Sequence, residues 1–246
     1  KQNKKLTKNI CLTPEEIETI NALTLTGCKN FSQKCNLLIN KGLSVISKET
    51  DLTSSNVSYK KTLKFIDLFA GIGGIRKGFE DKNTECVFSS EWDKYAAQTY
   101  EANYGEKPFG DITKIHEKEI PDHDILLAGF PCQPFSNIGK REGFLHTTQG
   151  TLFFDVLRIL KEKRPQAFLL ENVKGLVTHD NGNTFKVIQN ALQEELGYNI
   201  YFKILDAQDF GLPQRRERII IVGFRPDLKV TNFKFPKGSK KRIPIK

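Results

Sequence analysis

The 246-residue sequence contains no methionine, one tryptophan and four histidines. It has no apolar run near the roughly 18 residues that a membrane span needs, and no hydrophobic stretch follows its lysine-rich start as in a signal peptide. We therefore expect neither a membrane protein nor a secreted one, but a protein of the cytoplasm. Because an initiator methionine before Lys1 would not normally be removed, the sequence is expected to be part of a longer reading frame.

Cysteine is sparse, and its spacing suits neither cross-linking nor metal binding. The five cysteines are odd in number and include no CxxC pair, which argues against a disulfide scaffold and against a metal site. We expect reduced thiols. The five are Cys11, Cys28, Cys35, Cys86 and Cys132.

Positive charge is concentrated at the two ends of the chain. The net charge is +9. Residues 1–61 carry ten basic and five acidic side chains, and residues 228–246 carry seven basic side chains and no acidic one. Basic ends on a near-neutral middle suit a polyanion such as nucleic acid. A solvated basic surface without a partner remains an alternative.

Two helices are predicted in an N-terminal extension of 46 residues. Thr13 and Glu16 form a capping box for the first helix, and an apolar stripe predicts the second helix over 31–46. With the short run 9–12 before them, the helices resemble a ribbon-helix-helix DNA-binding module. Two alternatives to this interpretation remain: a helical extension that packs on the main domain, and a helix-turn-helix unit. The polar segment 47–61 is interpreted as a linker.

The main domain, predicted over 62–228, alternates short apolar runs with helical or turn segments. This rhythm is typical of a doubly wound α/β fold with a mostly parallel sheet. The last two runs lack room for a helix between them and should pair as an antiparallel hairpin. Residues 229–246 are interpreted as a basic tail. The predicted strands are Phe65–Phe69, Cys86–Ser89, Ile125–Ala128, Ala167–Leu170, Ile200–Leu205 and Ile219–Phe224.

A glycine-rich turn follows the first predicted strand. It contains Gly71, Gly73 and Gly74, at the sheet edge where open α/β folds bind ligands. The dinucleotide pattern GxGxxG is not met, because Arg76 occupies its third glycine position. A nicotinamide enzyme is therefore disfavoured.

Three residues further along could recognise an adenosine. Glu91, at the predicted end of the second strand, could accept hydrogen bonds from ribose hydroxyls, and Trp92 offers a flat face for adenine. Asp111, placed at a further predicted strand end, could accept a hydrogen bond from the adenine amino group. Each residue taken singly is more often a cap or surface residue. Together they favour an adenosyl cofactor.

A second group of residues indicates covalent chemistry. Cys132 lies between two prolines after the strand 125–128, where a constrained thiol is a candidate nucleophile rather than a core residue. Glu171 follows the neighbouring predicted strand and should emerge beside it. A cysteine and a carboxylate without a paired histidine do not resemble a protease.

The ordered motifs over about residues 64–225 resemble those of DNA cytosine-C5 methyltransferases of the bacterial restriction-modification type. Any one of these motifs alone is a weak signal, but six of them in the family's order are specific for the family. They are Phe-Ala-Gly-Ile-Gly-Gly, Glu-Trp-Asp, Gly-Asp-Ile, Phe-Pro-Cys-Gln-Pro-Phe-Ser, Glu-Asn-Val and Gln-Arg-Arg-Glu-Arg.

The resemblance implies methyl transfer from S-adenosylmethionine to C5 of a cytosine flipped out of duplex DNA. Cys132 would add to C6 of the base, and Glu171 would give a proton or a hydrogen bond to N3. Arg216 and Arg218 would lie near the base and its phosphates, although purely structural ion pairs remain an alternative. The loop 138–150 could close over the site.

The resemblance also implies which residues contact the cofactor, all of them near the glycine turn or near the strand ends. No metal is implied. The implied cofactor contacts are Phe69, Gly71, Ile72, Gly73, Gly74, Glu91, Trp92, Asp111, Ile112, Pro131 and Leu152.

The sequence departs from the family in two respects. Gln149 stands where the family usually has arginine, which puts one backbone contact in doubt. A target-recognition region and the final motifs are not seen, so we expect either a fragment or a split enzyme completed by a second polypeptide. A non-catalytic DNA-binding relative and a tRNA cytosine methyltransferase remain competing interpretations.

Overall fold

The computed structural model describes residues 62–131 and 152–239. The predicted N-terminal extension, the linker, Cys132, the loop 138–150 and the end of the basic tail lie outside the described residues.

Six strands form one mixed sheet in the part of the chain that the structure describes. They are β1 Leu63–Leu68, β2 Thr84–Ser90, β3 Ile125–Ala128, β4 Ala167–Val173, β5 Asn199–Asp206 and β6 Glu217–Phe224. Their order in the sheet is β2-β1-β3-β4-β6-β5. The strands β2, β1, β3 and β4 run parallel, and β6 is antiparallel to both of its neighbours. All six predicted strands and the predicted hairpin are confirmed.

The central strands are buried on both faces, which explains their nearly continuous apolar sequences. Side chains that alternate along β1 and β3 enter two separate cores. Phe65 and Leu127 belong to one core and Ile66 and Leu126 to the other. The expected doubly wound α/β arrangement is thus present, with apolar cores on both faces of the sheet.

Four α-helices connect the strands within the described residues. They are α1 Gly74–Phe79, α2 Lys94–Tyr104, α3 Phe153–Lys163 and α4 Asn183–Asn190, which continues into a π-helical turn over Ala191–Glu195. The helix α2 is capped at both ends. Asp93 caps α2 by accepting hydrogen bonds from the N–H groups of Tyr95 and Ala96, and the left-handed Gly105 ends that helix.

The described part of the predicted basic tail packs against the sheet. Val230 is buried, and Phe233 and Phe235 pack on the same core as β6. The folded unit therefore extends past the boundary predicted at residue 228. Within 62–131 and 152–239, no helix combines the length and apolar character needed to cross a membrane.

Candidate active site

The glycine turn, residues 69–74, joins β1 to α1 in a backbone conformation that ordinary residues avoid. Gly71 has φ +56° and Gly73 has φ +86°. Phe69 also has a left-handed backbone, with φ +54°, although it carries a side chain. Such a residue costs of order 1–3 kcal/mol and is typical of ligand-binding sites. The turn is anchored to β2 by the hydrogen bond from Ala70 N to Ser90 O, at 3.0 Å.

Glu91 faces the glycine turn from the end of the neighbouring strand. It is the first residue after β2, and its Oε2 accepts a 2.7 Å hydrogen bond from Gly71 N. Its Oε1 accepts a 2.7 Å bond from Asp93 N. These bonds fix the carboxylate beside the turn. Trp92 next to it is 78% exposed, which leaves its ring open to a ligand.

Asp111 is not at a strand end, so that prediction was wrong. The residue caps a short 3₁₀ turn over Ile112–Lys114, and its Oδ1 accepts bonds from the backbone N–H and the hydroxyl of Thr113. The preceding segment joins the sheet edge through an isolated parallel bridge between Ser90 and Phe109 and a 3.2 Å hydrogen bond from the Ser90 hydroxyl to Gly110 O. Hydrogen bonding to Thr113 lowers the pKa of the Asp111 carboxyl, which is therefore held as an acceptor. Ile112 is buried beneath it.

The carboxyl group of Asp67 and the guanidinium of Arg76 are buried behind the turn, which the sequence did not reveal. Asp67, at the end of β1, is fully buried, and neither of its oxygens has a hydrogen-bond partner among the described residues. Burial raises the pKa of Asp67 to about 7, although nearby Arg76 opposes the shift. Arg76 pairs with Glu80 and Glu106 and donates a 2.8 Å bond to the hydroxyl of Tyr100.

The part of the site that contains Glu171 lies where β3 and β4 run side by side. Ala128 pairs with Leu170, so the segment after β3 passes next to Glu171. Glu171 lies within β4 rather than after it, because β4 runs three residues further than predicted. A Cβ placed on Gly129 would lie 3.7 Å from Glu171 Oε2. The chain that leads through exposed Pro131 to Cys132 thus starts beside the carboxylate.

Asn172 fastens this segment to β4, a contact that the sequence analysis missed. The side chain is only 2% exposed, and its Nδ2 donates a 2.9 Å hydrogen bond to Phe130 O. Its Oδ1 accepts a 2.7 Å bond from Val173 N. The Glu-Asn-Val motif therefore supplies a carboxylate and, one residue later, the clamp on the adjacent segment.

The two predicted arginines occupy different positions. Arg218 Nε lies 2.9 Å from Glu171 Oε1, which brings Arg218 into the site. Arg216 is exposed, and its backbone N–H donates to Asp206 Oδ1 at 3.0 Å. Its guanidinium is therefore on the surface near the same sheet edge. Leu152 is half-buried immediately before α3.

Gly129 links the two halves of the site. A Cβ there would lie 3.3 Å from Ile75 Cδ1 and 3.7 Å from Glu171 Oε2. Ile75 belongs to α1, which begins at the end of the glycine turn. Gly129 therefore lies between the Glu171 carboxylate and the first turn of α1, which directly follows the glycine turn.

This architecture is the class I methyltransferase fold. Solved structures with the same fold include the Dnmt2 methyltransferase of S. pombe and the methyltransferase EhMeth of Entamoeba histolytica. The S. pombe protein has a TM-score of 0.53 at 25% identity, over 66% of this chain and 50% of its own. The Entamoeba protein has a TM-score of 0.54 at 21% identity, over 74% and 58%.

The chain belongs to the C-5 cytosine-specific DNA methylase family, whose model matches residues 63–245. The Type II methyltransferase M.BsuFI of Bacillus subtilis is 57% identical over 98% of this chain and 64% of its own length. The Type II methyltransferase M.HaeII of Haemophilus aegyptius is 66% identical over 72% and 54%. M.HhaI of Haemophilus parahaemolyticus is 57% identical over 71% and 53%. The chain thus spans between half and two thirds of these relatives.

Proposed function

We propose that this chain carries the catalytic and cofactor-binding part of an enzyme that methylates C5 of cytosine in duplex DNA, with S-adenosylmethionine as the methyl donor. The supporting observation is the position of Gly129 between Ile75 and Glu171. A cofactor on the glycine turn and a base at Glu171 would then meet at one edge of the sheet, the edge at which open α/β folds bind ligands.

The residues at the glycine turn fit an adenosyl cofactor. A Cβ on Gly71 or Gly74 would meet no atom of the described residues within 4 Å, so among these residues the turn leaves open space on that side. Glu91 retains lone pairs for ribose hydroxyls, and exposed Trp92 offers a stacking face. When bound there, S-adenosylmethionine supplies an electrophilic methyl group, which C5 takes up while the bonding pair stays on the sulfur.

The chain's own residues would activate the base. In the proposed mechanism the Cys132 thiolate forms a bond to C6, and the electron pair of the C5–C6 double bond moves towards C5 and N3. The carboxyl group of Glu171 acts in its protonated form: it donates a hydrogen bond to N3, stabilises the charge there and keeps its proton throughout, while the guanidinium of Arg218 orients the group. After methylation, the C5 proton leaves to water or hydroxide, the double bond reforms, and the Cys132 thiolate departs.

The proposed DNA partner and location follow from this activity. Exposed Arg216 and the basic ends of the chain are suited to phosphate contacts, and the target base must leave the duplex to be reached. A bacterial protein with this activity would act in the cytosol. The part of M.BsuFI that has no counterpart here belongs to the same polypeptide as the matched part, so the comparisons do not support a second polypeptide.

The test is a transfer assay with the full-length protein, methyl-labelled S-adenosylmethionine and unmethylated duplex DNA. The proposal predicts labelled 5-methylcytosine among the nucleosides after digestion. Label on an exocyclic amine, or no label at all, would contradict it.

Two other functions give different results in the same assay. A tRNA methyltransferase would label unmodified tRNA in preference to duplex DNA when the two compete. A non-catalytic DNA-binding relative would retain DNA without labelling it. The intact Glu171–Arg218 pair favours the catalytic proposal over a binding role.

A further inference from the structure

The carbonyl groups of the glycine turn are held by the last turn of α2. Asn103 Nδ2 donates a 3.0 Å hydrogen bond to Ile72 O, and the Tyr104 hydroxyl donates a 2.6 Å bond to Gly73 O. Both donors come 31 residues after their acceptors. Two consecutive carbonyls of the turn are thus fixed by side chains of another element.

The Tyr104 ring also requires glycine at position 73. A Cβ at Gly73 would lie 2.1 Å from Tyr104 Cε2, so any other residue would displace the ring. On α1, the buried guanidinium of Arg76 lies 4.1 Å from the centre of the same ring, a cation–π contact. The ring therefore contacts both the turn and the helix that the turn begins.

Fixing a carbonyl also orients the next N–H group, because the peptide unit is planar. The bond from Asn103 to Ile72 O sets the peptide plane that contains Gly73 N–H. The bond from Tyr104 to Gly73 O sets the plane that contains Gly74 N–H. On the opposite side, Glu91 holds Gly71 N–H. Side chains thus hold three peptide groups of the turn, those that join residues 70–71, 72–73 and 73–74.

We propose that Asn103 and Tyr104 are positioning residues for the cofactor, which hold the glycine turn in its binding shape without touching the ligand. This inference rests on the proposed binding of S-adenosylmethionine at the turn. Preorganisation lowers the free energy that binding would otherwise spend on ordering the loop. Asn103 is exposed, so its amide contributes little to the core.

The test uses the full-length protein with the variants Asn103→Ala and Tyr104→Phe and the double variant. Gln98→Ala, an exposed residue of the same helix, is the matched control. Calorimetry gives the Kd for S-adenosylmethionine, methyl transfer gives kcat and both KM values, and thermal unfolding without ligand gives Tm. Tyr104→Phe keeps the ring under Gly73 and removes only the hydroxyl.

The inference predicts that Asn103→Ala weakens cofactor binding about fivefold, the ordinary value of one neutral hydrogen bond. KM for the cofactor should rise with it, while kcat at saturating cofactor and KM for DNA stay unchanged. Tyr104→Phe should act in the same direction, the double variant should bind more weakly than either, and Gln98→Ala should match the unsubstituted protein.

An unchanged Kd in both single variants would overturn the inference, and so would a lower Tm without a change in Kd, since that marks a purely structural role. In those cases the unsubstituted protein still binds the cofactor and methylates DNA, so the proposed function stands. If the unsubstituted protein fails to bind S-adenosylmethionine, both the proposed function and this inference fail.

Discussion

Arg218 Nε lies 2.9 Å from Oε1 of Glu171 across two adjacent antiparallel strands. In the strand register Arg218 is opposite Val173, so its side chain reaches along the sheet to the carboxylate. Both groups are about one quarter exposed, which leaves the pair accessible to a substrate. This ion pair holds the Glu171 carboxylate in place at the sheet edge.

Replacing Arg218 by alanine is expected to lower kcat by roughly 10- to 100-fold, because Glu171 loses the ion pair that orients it and a displaced catalytic group reacts much more slowly. The loss should appear in kcat rather than in the Kd for the cofactor, because Glu171 acts on the base. Arg215→Ala is the control, since Arg215 lies 3.8 Å from Glu217 and is largely exposed. Steady-state kinetics of the two variants check this, and equal kcat values would contradict it.

Replacing Asn172 by alanine is expected to destabilise the fold by about 1–3 kcal/mol, since Phe130 O and Val173 N lose a buried partner. Methyl transfer should fall as well, because the segment before Cys132 loses its clamp to β4. Chemical denaturation and a transfer assay below the unfolding transition measure the two effects. Asn190→Ala, an exposed control, should leave both unchanged. Full activity in Asn172→Ala would refute the clamp.

Replacing Trp92 by alanine is expected to weaken the binding of S-adenosylmethionine by on the order of 1–2 kcal/mol through lost stacking area. The fold should tolerate this change because Trp92 is 78% exposed. Phe202→Ala removes a ring of 45% exposure from β5, at the far edge of the sheet, and is the matched control. An identical calorimetric Kd for Trp92→Ala and the unsubstituted protein would count against adenine stacking.

Asp67 predicts a pH dependence of stability. Burial raises its pKa from 3.8 to about 7 in the folded protein. Between those values the folded state keeps a proton that the unfolded chain has released. The contribution of Asp67 to the free energy of unfolding therefore falls as pH rises and is constant above pH 7. Asparagine at position 67 does not titrate. The free energy of unfolding of Asp67→Asn should therefore rise, relative to that of the unsubstituted protein, by on the order of 4 kcal/mol between pH 4 and neutrality.

Denaturant unfolding of both proteins across that pH window measures the difference directly. The shifts of other groups, such as the lowered pKa of Asp227, are shared and cancel in the comparison. Parallel stability curves for Asp67→Asn and the unsubstituted protein would show that Asp67 is not a buried acid with a raised pKa.

The sequence predicted the sheet well because buried strands have continuous apolar runs bounded by turns. It also predicted Glu91 at the end of the second strand, and Glu91 lies next to the glycine turn because the carboxyl ends of neighbouring parallel strands meet at one edge. Asp111 was misplaced because no apolar run precedes it and its segment forms a 3₁₀ turn instead. Strand periodicity cannot reveal such a turn.

Side-chain partnerships between distant segments escaped sequence reasoning. The bond from Asn172 to Phe130 joins residues 42 apart, and that from Tyr104 to Gly73 joins residues 31 apart. Both depend on strand register and on the position of a helix, which no local pattern specifies. Arg76 was noted only as a departure from a glycine pattern, although it is a buried ion-paired residue behind the turn.

The most direct test of the central claim, a covalent attack on cytosine C6 by Cys132, is trapping with duplex DNA that contains 5-fluorocytosine. Fluorine at C5 cannot leave as the proton does, so the adduct should persist in the presence of S-adenosylmethionine. The account predicts a denaturation-resistant protein–DNA complex whose cross-linked peptide contains Cys132, and no complex with Cys132→Ala. A complex mapped to another residue, or an undiminished complex with Cys132→Ala, would contradict it.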